Sequence, residues 1–383
     1  MNEPTASTLD WTAIEHTLPD GWQELAAERH LVRTDLPAHL GSKVKTIGEI
    51  LRLVFYQVAS NTGLEVTTAV FAAAGILSIS YVALHKWMKK LGPYLRELLA
   101  QMVATEHAVF APERWAGYEI VVCDATTVMR PGAKGTTARV HRALRLTDLR
   151  VLEVHVTDEH VGETLRNFHP RAGQLWIVDR GYAGPPGIAW IAKQKAAVMV
   201  RHNRGALPLY DREGRDLGVS EKLKSLRVDQ PREWKCWVHP EGGPRIEGRL
   251  CAVRLPADKA EEARARVRRE QGSDATAETL ATAAFVVVFV TVPRNLLSCA
   301  QVLDLYRARW QIELDFKRDK SITGLDRLPN FRPDTIESWI CAKLLLHQIL
   351  RKLASTSSTP SAIGAFPPCA VIDACLDQQR RAA

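Results

Sequence analysis

The chain has 383 residues, 46% of them hydrophobic and 25% charged, which is typical of a globular protein and excludes fibrous and largely disordered chains. Its net charge of +8 favours a polyanionic partner such as nucleic acid. Seven scattered cysteines without a C-x-x-C pair argue against a disulfide framework and a structural zinc site, and they suit a reducing cytosol.

Residues 1–42 form an acidic head, in which Pro19-Asp20-Gly21 predicts a turn. The segment Met1–Asp10 lacks the basic start and apolar core of a signal peptide. The uncharged stretch Val66–Leu84 has the length of a membrane span. Its small and polar residues lower its mean hydropathy, and a turn at Gly75 divides it, so we expect no span and no membrane partner.

Residues 43–112 are predicted to be helical and basic. Apolar residues recur at helical spacing on both sides of the Gly75 turn, and Ser78 or Ser80 can cap the second helix, which carries Lys86 and Lys89. A helix, a glycine turn and a capped basic helix are the outline of a helix-turn-helix DNA-binding domain. A plain helical bundle is the alternative interpretation.

Residues 113–204 change to the period of β-strands. The predicted strands are Tyr118–Asp124, Ala138–Leu146, Val151–Thr157, Leu175–Asp179 and Ala197–Val200. The first three follow one another closely and predict an antiparallel meander, whereas the fourth is entirely apolar, as a central strand should be. A helix ending near Lys195 separates the last two strands.

Residues 205–282 interrupt this pattern and are interpreted as a β-rich insertion with one charged helix, Pro256–Gln271. Trp234 and Trp237 in it could stack on an unpaired base, although a core role is the alternative. Residues 283–354 resume with a buried strand, Ala284–Val292, and two helices. Residues 355–383, rich in Ser, Thr and Pro, predict a flexible tail.

The segment Leu303–Leu328 predicts one amphipathic helix of about seven turns. At about 100° per residue, Tyr306, Arg309, Glu313 and Lys320 fall within roughly 60° of arc. One face therefore carries a phenol, a guanidinium, a carboxylate and an ammonium. A solvated face with ordinary salt bridges is the alternative.

The spacing Tyr306-x2-Arg309-x3-Glu313-x6-Lys320 resembles the Y-R-E-K signature of bacterial insertion-sequence DDE transposases. This resemblance implies a mixed α/β fold with a ribonuclease H-like catalytic core, and the predicted strand and helix order agrees with it. It also requires two aspartates at the ends of upstream strands. Asp124 and Asp179 occupy such positions, although either alone could be a strand-end cap.

Together, Asp124, Asp179 and Glu313 form a candidate catalytic and metal-binding triad. Carboxylate oxygens are the ligands that Mg²⁺ prefers, and three carboxylates can hold two ions about 3.5–4 Å apart. The resemblance implies two Mg²⁺ ions, with Mn²⁺ able to substitute, and phosphodiester cleavage followed by joining of the 3′-hydroxyl to target DNA.

Further residues are predicted to contact DNA. The resemblance implies that Tyr306, Arg309 and Lys320 bind phosphates at the DNA ends of the insertion sequence. Asp179-Arg180-Gly181-Tyr182 is similar to the family's D-R-G-Y motif and adds Arg180 and Tyr182, although Arg180 could equally form a surface ion pair. Charge alone suggests further contacts at Arg139, Arg142, Arg145 and the run Arg201-His202-Asn203-Arg204. His141 and His169 lack ligand spacing and receive no role.

The resemblance therefore implies a transposase that acts on double-stranded DNA, as a homodimer assembled on that DNA, in the nucleoid-containing cytoplasm of a bacterium. Two alternatives remain at this stage. One is a metal-dependent nuclease that cuts without joining, and the other is a DNA-binding regulator with an inactive acidic site.

Overall fold

The structure is a computed structural model that describes residues 11–32, 43–108, 116–328 and 332–357. Within these ranges the strands β1 to β8 are Glu119–Val128, Ala138–Arg145, Val151–Asp158, Gln174–Val178, Ala197–Arg201, Arg232–Val238, Ile246–Arg254 and Phe285–Val290. The helices α1 to α12 are Trp11–Glu15, Trp22–Glu28, Ile47–Ser60, Leu64–Ala73, Tyr81–Ala108, Pro185–Lys193, Val219–Lys224, Ala257–Gln271, Ala277–Thr282, Cys299–Arg307, Trp310–Ile322 and Ile336–Ser357. The predicted tail from residue 358 onward and residues 1–10 and 33–42 of the acidic head lie outside the described residues.

All eight strands form one sheet in the order β3-β2-β1-β4-β5-β8-β7-β6. Strands β1, β2 and β3 make the predicted antiparallel meander, and β1, β4 and β5 run parallel to one another. This is the strand order of a ribonuclease H-like core, so the predicted mixed α/β fold is confirmed. The segment 205–282 contributes β6 and β7, which extend the same sheet beyond β8, together with α7, α8 and α9.

The two faces of the sheet follow from the alternation of side chains along each strand. On β1, Ile120 and Val122 point into a core shared with α3, α5, α10, α11 and α12. Val121 and Cys123 point into the second core, beneath α6. The N-terminal helices and the sheet therefore share one continuous apolar core among the described residues.

The predicted order of helix, glycine turn and capped helix is confirmed in the basic N-terminal region. Helix α4 ends at Ala73, Gly75 adopts a φ of +69°, and α5 begins at Tyr81. The Oγ of Ser80 accepts a hydrogen bond from the N–H of Ala83 at 3.2 Å, which caps the helix. Binding of DNA by this region stays a prediction.

The prediction of one long helix over Leu303–Leu328 was wrong. The chain forms α10 and α11 instead, separated at Ala308 and Arg309, where the N–H groups bond to carbonyls three residues back rather than four. Both residues keep right-handed helical dihedrals, so the chain continues from α10 into α11 without a reversal. Helix α11 ends before Gly324, whose φ of +59° is the left-handed conformation that commonly terminates helices.

No helix among the described residues is long and apolar enough to cross a membrane.

Candidate active site

Three separate elements bring Asp124, Asp179 and Glu313 together. Parallel strands β1 and β4 pair Val122 with Ile177, and the same register places Asp124 beside Asp179 two residues further on. Adjacent strands lie about 4.8 Å apart, so the two carboxylates occupy neighbouring positions. Asp124 shares the sheet face of Val122, which α10 and α11 cover, and Glu313 lies in the first turn of α11.

Two side chains of the signature connect these carboxylates. The hydroxyl of Tyr306 donates a hydrogen bond to Oδ1 of Asp179 at 3.3 Å. The guanidinium of Arg309 lies 2.5 Å from Oε1 of Glu313 through Nη2 and 3.7 Å from Oδ2 of Asp124 through Nη1. Because Arg309 stands at the break between the two helices, it reaches both the strand and the following turn. One guanidinium thus bridges two members of the triad, and one phenol binds the third.

The electrostatics of the site follow from its partial burial. Burial raises the pKa of Asp124 to about 7; Glu163 and Asp179 add to the rise, while Arg309 and the N–H of Ala125 oppose it. Burial lowers the pKa of Arg309, but the neighbouring Tyr306, Asp179 and Glu313 outweigh it and raise that pKa overall. Burial and the charge of Asp179 raise the pKa of the Tyr306 hydroxyl, so it remains a donor. The site is therefore a cluster of carboxyl groups with the Arg309 guanidinium among them.

The donor set fits a hard divalent cation. The side chains of Asp124 and Glu313 are 19% and 29% exposed, so both carboxylates remain accessible from solvent. The guanidinium of Arg309 lies between these two carboxylates. Its position shows where their negative charges require a positive partner. Carboxylate oxygens are the ligands expected for Mg²⁺ or Mn²⁺.

A cavity of about 830 Å³ opens over Asp179 and Glu313. Helix α8 from the segment 205–282 forms its far side with Lys259 and Arg266, and Arg201 lies on its sheet side. The cavity is wide and lined by charges of both signs, which suits an extended polar ligand better than a small apolar one.

Four predicted DNA contacts lie in or near the cavity or the triad, and their binding of DNA stays a prediction. Arg201 is half-buried and lines this cavity. Arg180 is exposed at the rim, 4.0 Å from Glu270. Arg139 is half-buried and donates a hydrogen bond to the carbonyl of Val161 at 2.5 Å. Lys320 lies on the same face of α11 as Glu313. It comes seven residues later, which is about 10.5 Å along the helix axis.

Three predicted DNA contacts, Arg142, Arg145 and Tyr182, were wrong. Arg145 is 2% exposed, and its guanidinium lies 2.7 Å from Oδ2 of Asp148. Arg142 is fully buried, and its guanidinium forms ion pairs with Asp315 and Asp319 of α11. Tyr182 is 2% exposed and packs in the core beneath α6. A fully buried guanidinium that is paired with two carboxylates cannot reach a phosphate, and neither can a buried phenol.

Sequence reasoning missed Glu163, an acid in the loop between β3 and β4. Burial and the charge of Asp179 raise its pKa, while Arg139 opposes the rise. A methyl group placed on Gly181 would stand 2.5 Å from Oε2 of Glu163, so the glycine makes room for this carboxylate. No periodicity or motif marks a lone acid in an irregular loop, so the sequence offered no signal for it.

Comparison with known proteins identifies the family of this chain. A family model described as the transposase DDE domain matches residues 115–349, well over half of the chain. The chain therefore belongs to the transposase DDE family.

Individual relatives extend the match. The transposase for insertion sequence element IS421 of Escherichia coli is 30% identical over 312 residues, which cover 79% of this chain and 84% of that protein. A putative transposase, InsL, for insertion sequence element IS186A of Escherichia coli (strain K12) is 30% identical over 311 residues, with the same shares of both chains.

Proposed function

We propose that this chain is a transposase that cleaves the ends of an insertion sequence and joins the freed 3′-hydroxyls to target DNA. The observation that carries the proposal is the convergence of Asp124, Asp179 and Glu313, connected by Arg309 and Tyr306. Family membership supports a transposase, and the carboxylate cluster supports metal-dependent phosphoryl transfer as its chemistry.

The triad would hold Mg²⁺, or Mn²⁺ in its place, which supplies a Lewis acid for the attacking and leaving oxygens of the phosphodiester. The chain's own residues orient the DNA. Once the charge of the carboxylates is neutralised, the guanidinium of Arg309 can turn from them toward a phosphate. Lys320 offers a second cation on the same face of the helix. The Tyr306 hydroxyl orients Asp179.

Recognition of the DNA ends is assigned to residues 43–112. The exposed start of α5 supports this, because Tyr81 and Val82 are 48% and 47% exposed there. The N-terminal residues of a recognition helix are those that contact base edges. Two ends must be handled in one reaction, so a homodimer on DNA is expected, acting where the bacterial chromosome lies, in the cytoplasm.

The test uses labelled DNA that carries the element's own ends, a target plasmid and Mg²⁺. Wild type is expected to cut at the element boundary and to form joined product, whereas Asp179→Asn should bind the ends without cutting them. Cleavage without joined product would identify a nuclease. Tight binding without metal-dependent cleavage by wild type would identify a DNA-binding regulator, and both outcomes contradict the proposal.

The apparent affinity for Mg²⁺ should depend on pH through Asp124. Because the pKa of this carboxyl is about 7, a cation that binds below pH 7 must displace its proton. The half-saturating Mg²⁺ concentration for cleavage is expected to rise about tenfold per pH unit below 7 and to level off above it. Equal half-saturating concentrations near pH 6 and pH 8 would show that Asp124 is no ligand, or that its pKa is not raised.

A further inference from the structure

Two histidines and a glutamate that are not part of the triad meet at the edge of the sheet. Glu153 and His155 lie two residues apart on edge strand β3, and His169 lies in the loop that leads to β4. Oε2 of Glu153 is 3.0 Å from Nε2 of His155 and 3.0 Å from Nδ1 of His169. All three potential ligand atoms lie within 4.8 Å of one another.

These separations match a transition-metal site. With metal–ligand distances of about 2.0–2.1 Å, two ligands of a tetrahedral Zn²⁺ ion are about 3.4 Å apart. The two distances to Glu153 fall 0.4 Å short of this value, so small side-chain rotations would admit an ion. Two imidazoles and one carboxylate are a ligand set that suits Zn²⁺ rather than Mg²⁺, which prefers oxygen ligands.

The surroundings hold the three side chains in place. Both carboxylate oxygens of Glu153 accept the backbone N–H of His169, at 3.0 and 3.1 Å, which orients the carboxylate as an outer partner does in metal sites. The ring of His155 packs edge-on against Phe168, at 5.9 Å between centroids, and Phe168 in turn packs on Trp176 of β4. The cluster is therefore anchored to two strands.

Solvent access leaves room for a further ligand. Glu153 and His155 are 18% and 33% exposed, whereas His169 is 78% exposed. The three residues border a cavity of about 440 Å³. Three protein ligands and an open fourth position are the arrangement of an accessible zinc site rather than of a closed one.

We propose that Glu153, His155 and His169 bind one divalent transition-metal ion of the zinc class, separate from the Mg²⁺ site of the triad. The ion would tie the loop 159–173 to edge strand β3. The same loop carries Glu163, which lies beside Asp179 and Gly181, so occupancy of the edge site stabilises one wall of the candidate active site.

The test is Zn²⁺ titration of the metal-stripped full chain by calorimetry, with saturating Mg²⁺ present to occupy the triad. Wild type should bind one Zn²⁺ ion per chain. His155→Ala and His169→Ala should each weaken binding by more than about 100-fold, because loss of even an outer-shell partner typically costs 10–100-fold. Zn²⁺ at about 100 times its Kd should raise Tm by about 3 °C in wild type.

His160→Ala is the matched control, because His160 is an 83% exposed histidine of the same loop whose ion pair is with Glu159. It should leave Zn²⁺ binding unchanged. The proposal is overturned if wild type binds no Zn²⁺, or if the two ligand variants bind it as wild type does. The Tm of each variant without metal shows whether it has folded, and equal Tm values assign any loss of binding to the missing ligand.

Discussion

Glu313→Gln should reduce Mg²⁺-dependent DNA cleavage by at least about 10³-fold, a loss of about 4 kcal/mol in transition-state stabilisation. The amide keeps the size of the carboxyl group and can still accept a hydrogen bond from Arg309. It removes the negative charge and one anionic metal ligand from the triad. The chain should fold normally, because the Arg309–Glu313 pair spans one helical turn and such pairs contribute only about 0.3–0.5 kcal/mol.

The matched control for this variant is Glu270→Gln, the same chemical change in another carboxylate of the same cavity. Glu270 is about half exposed and lies 4.0 Å from Arg180 in a weak ion pair. Its removal should change the cleavage rate less than about twofold. Comparable rates for Glu313→Gln and Glu270→Gln, with both variants still binding DNA, would place Glu313 outside the chemistry.

The strands that carry the two aspartates could be predicted because their signal is local. A run of buried apolar residues ending in an acid is visible in sequence at Asp124 and at Asp179. Their pairing depends on the register of β1 and β4, which places Val122 opposite Ile177. No local pattern specifies that register, so the sequence alone could only suppose that the two strands are neighbours.

Side chains whose environment depends on distant segments were the ones misjudged. Arg142 stands directly opposite Asp124 on β2, and its charge suggested a phosphate contact. Its partners, Asp315 and Asp319, come more than 170 residues later. His169 likewise lacked ligand spacing because its neighbours Glu153 and His155 lie on another element. Gly324, by contrast, was a readable helix stop that the prediction of one long helix overlooked.

The buried ion pairs of Arg142 connect the sheet to the helix that presents Glu313. Arg142 is fully buried with Asp315 and Asp319, and its guanidinium lies 5.0 Å from the ring centroid of Phe316. Burial alone would raise the pKa of Asp319, but Arg142 and His347 outweigh it and lower that pKa overall. The partners of Asp319 therefore keep its carboxylate charged. The ion pairs of Arg142 with Asp315 and Asp319 hold α11 against β2.

Arg142→Met is consequently expected to destabilise the protein by about 3–5 kcal/mol, since it leaves two buried carboxylates without their main counter-ion. Denaturant unfolding followed by circular dichroism measures the loss. Arg142→Lys should fall between this variant and wild type, because an ammonium keeps the charge but loses the planar fork that reaches two carboxylates.

Exposed Arg130, two residues beyond the end of β1, provides the control. Arg130→Met should change the free energy of unfolding by less than about 0.5 kcal/mol. A role in DNA binding predicts the opposite pattern for Arg142→Met, with wild-type stability and a lower affinity for the element's ends. That result would mean that the ion pairs with Asp315 and Asp319 are not maintained in solution. If Arg142→Met loses stability and Arg130→Met does not, Arg142 acts by holding α11 against the sheet rather than by contacting DNA.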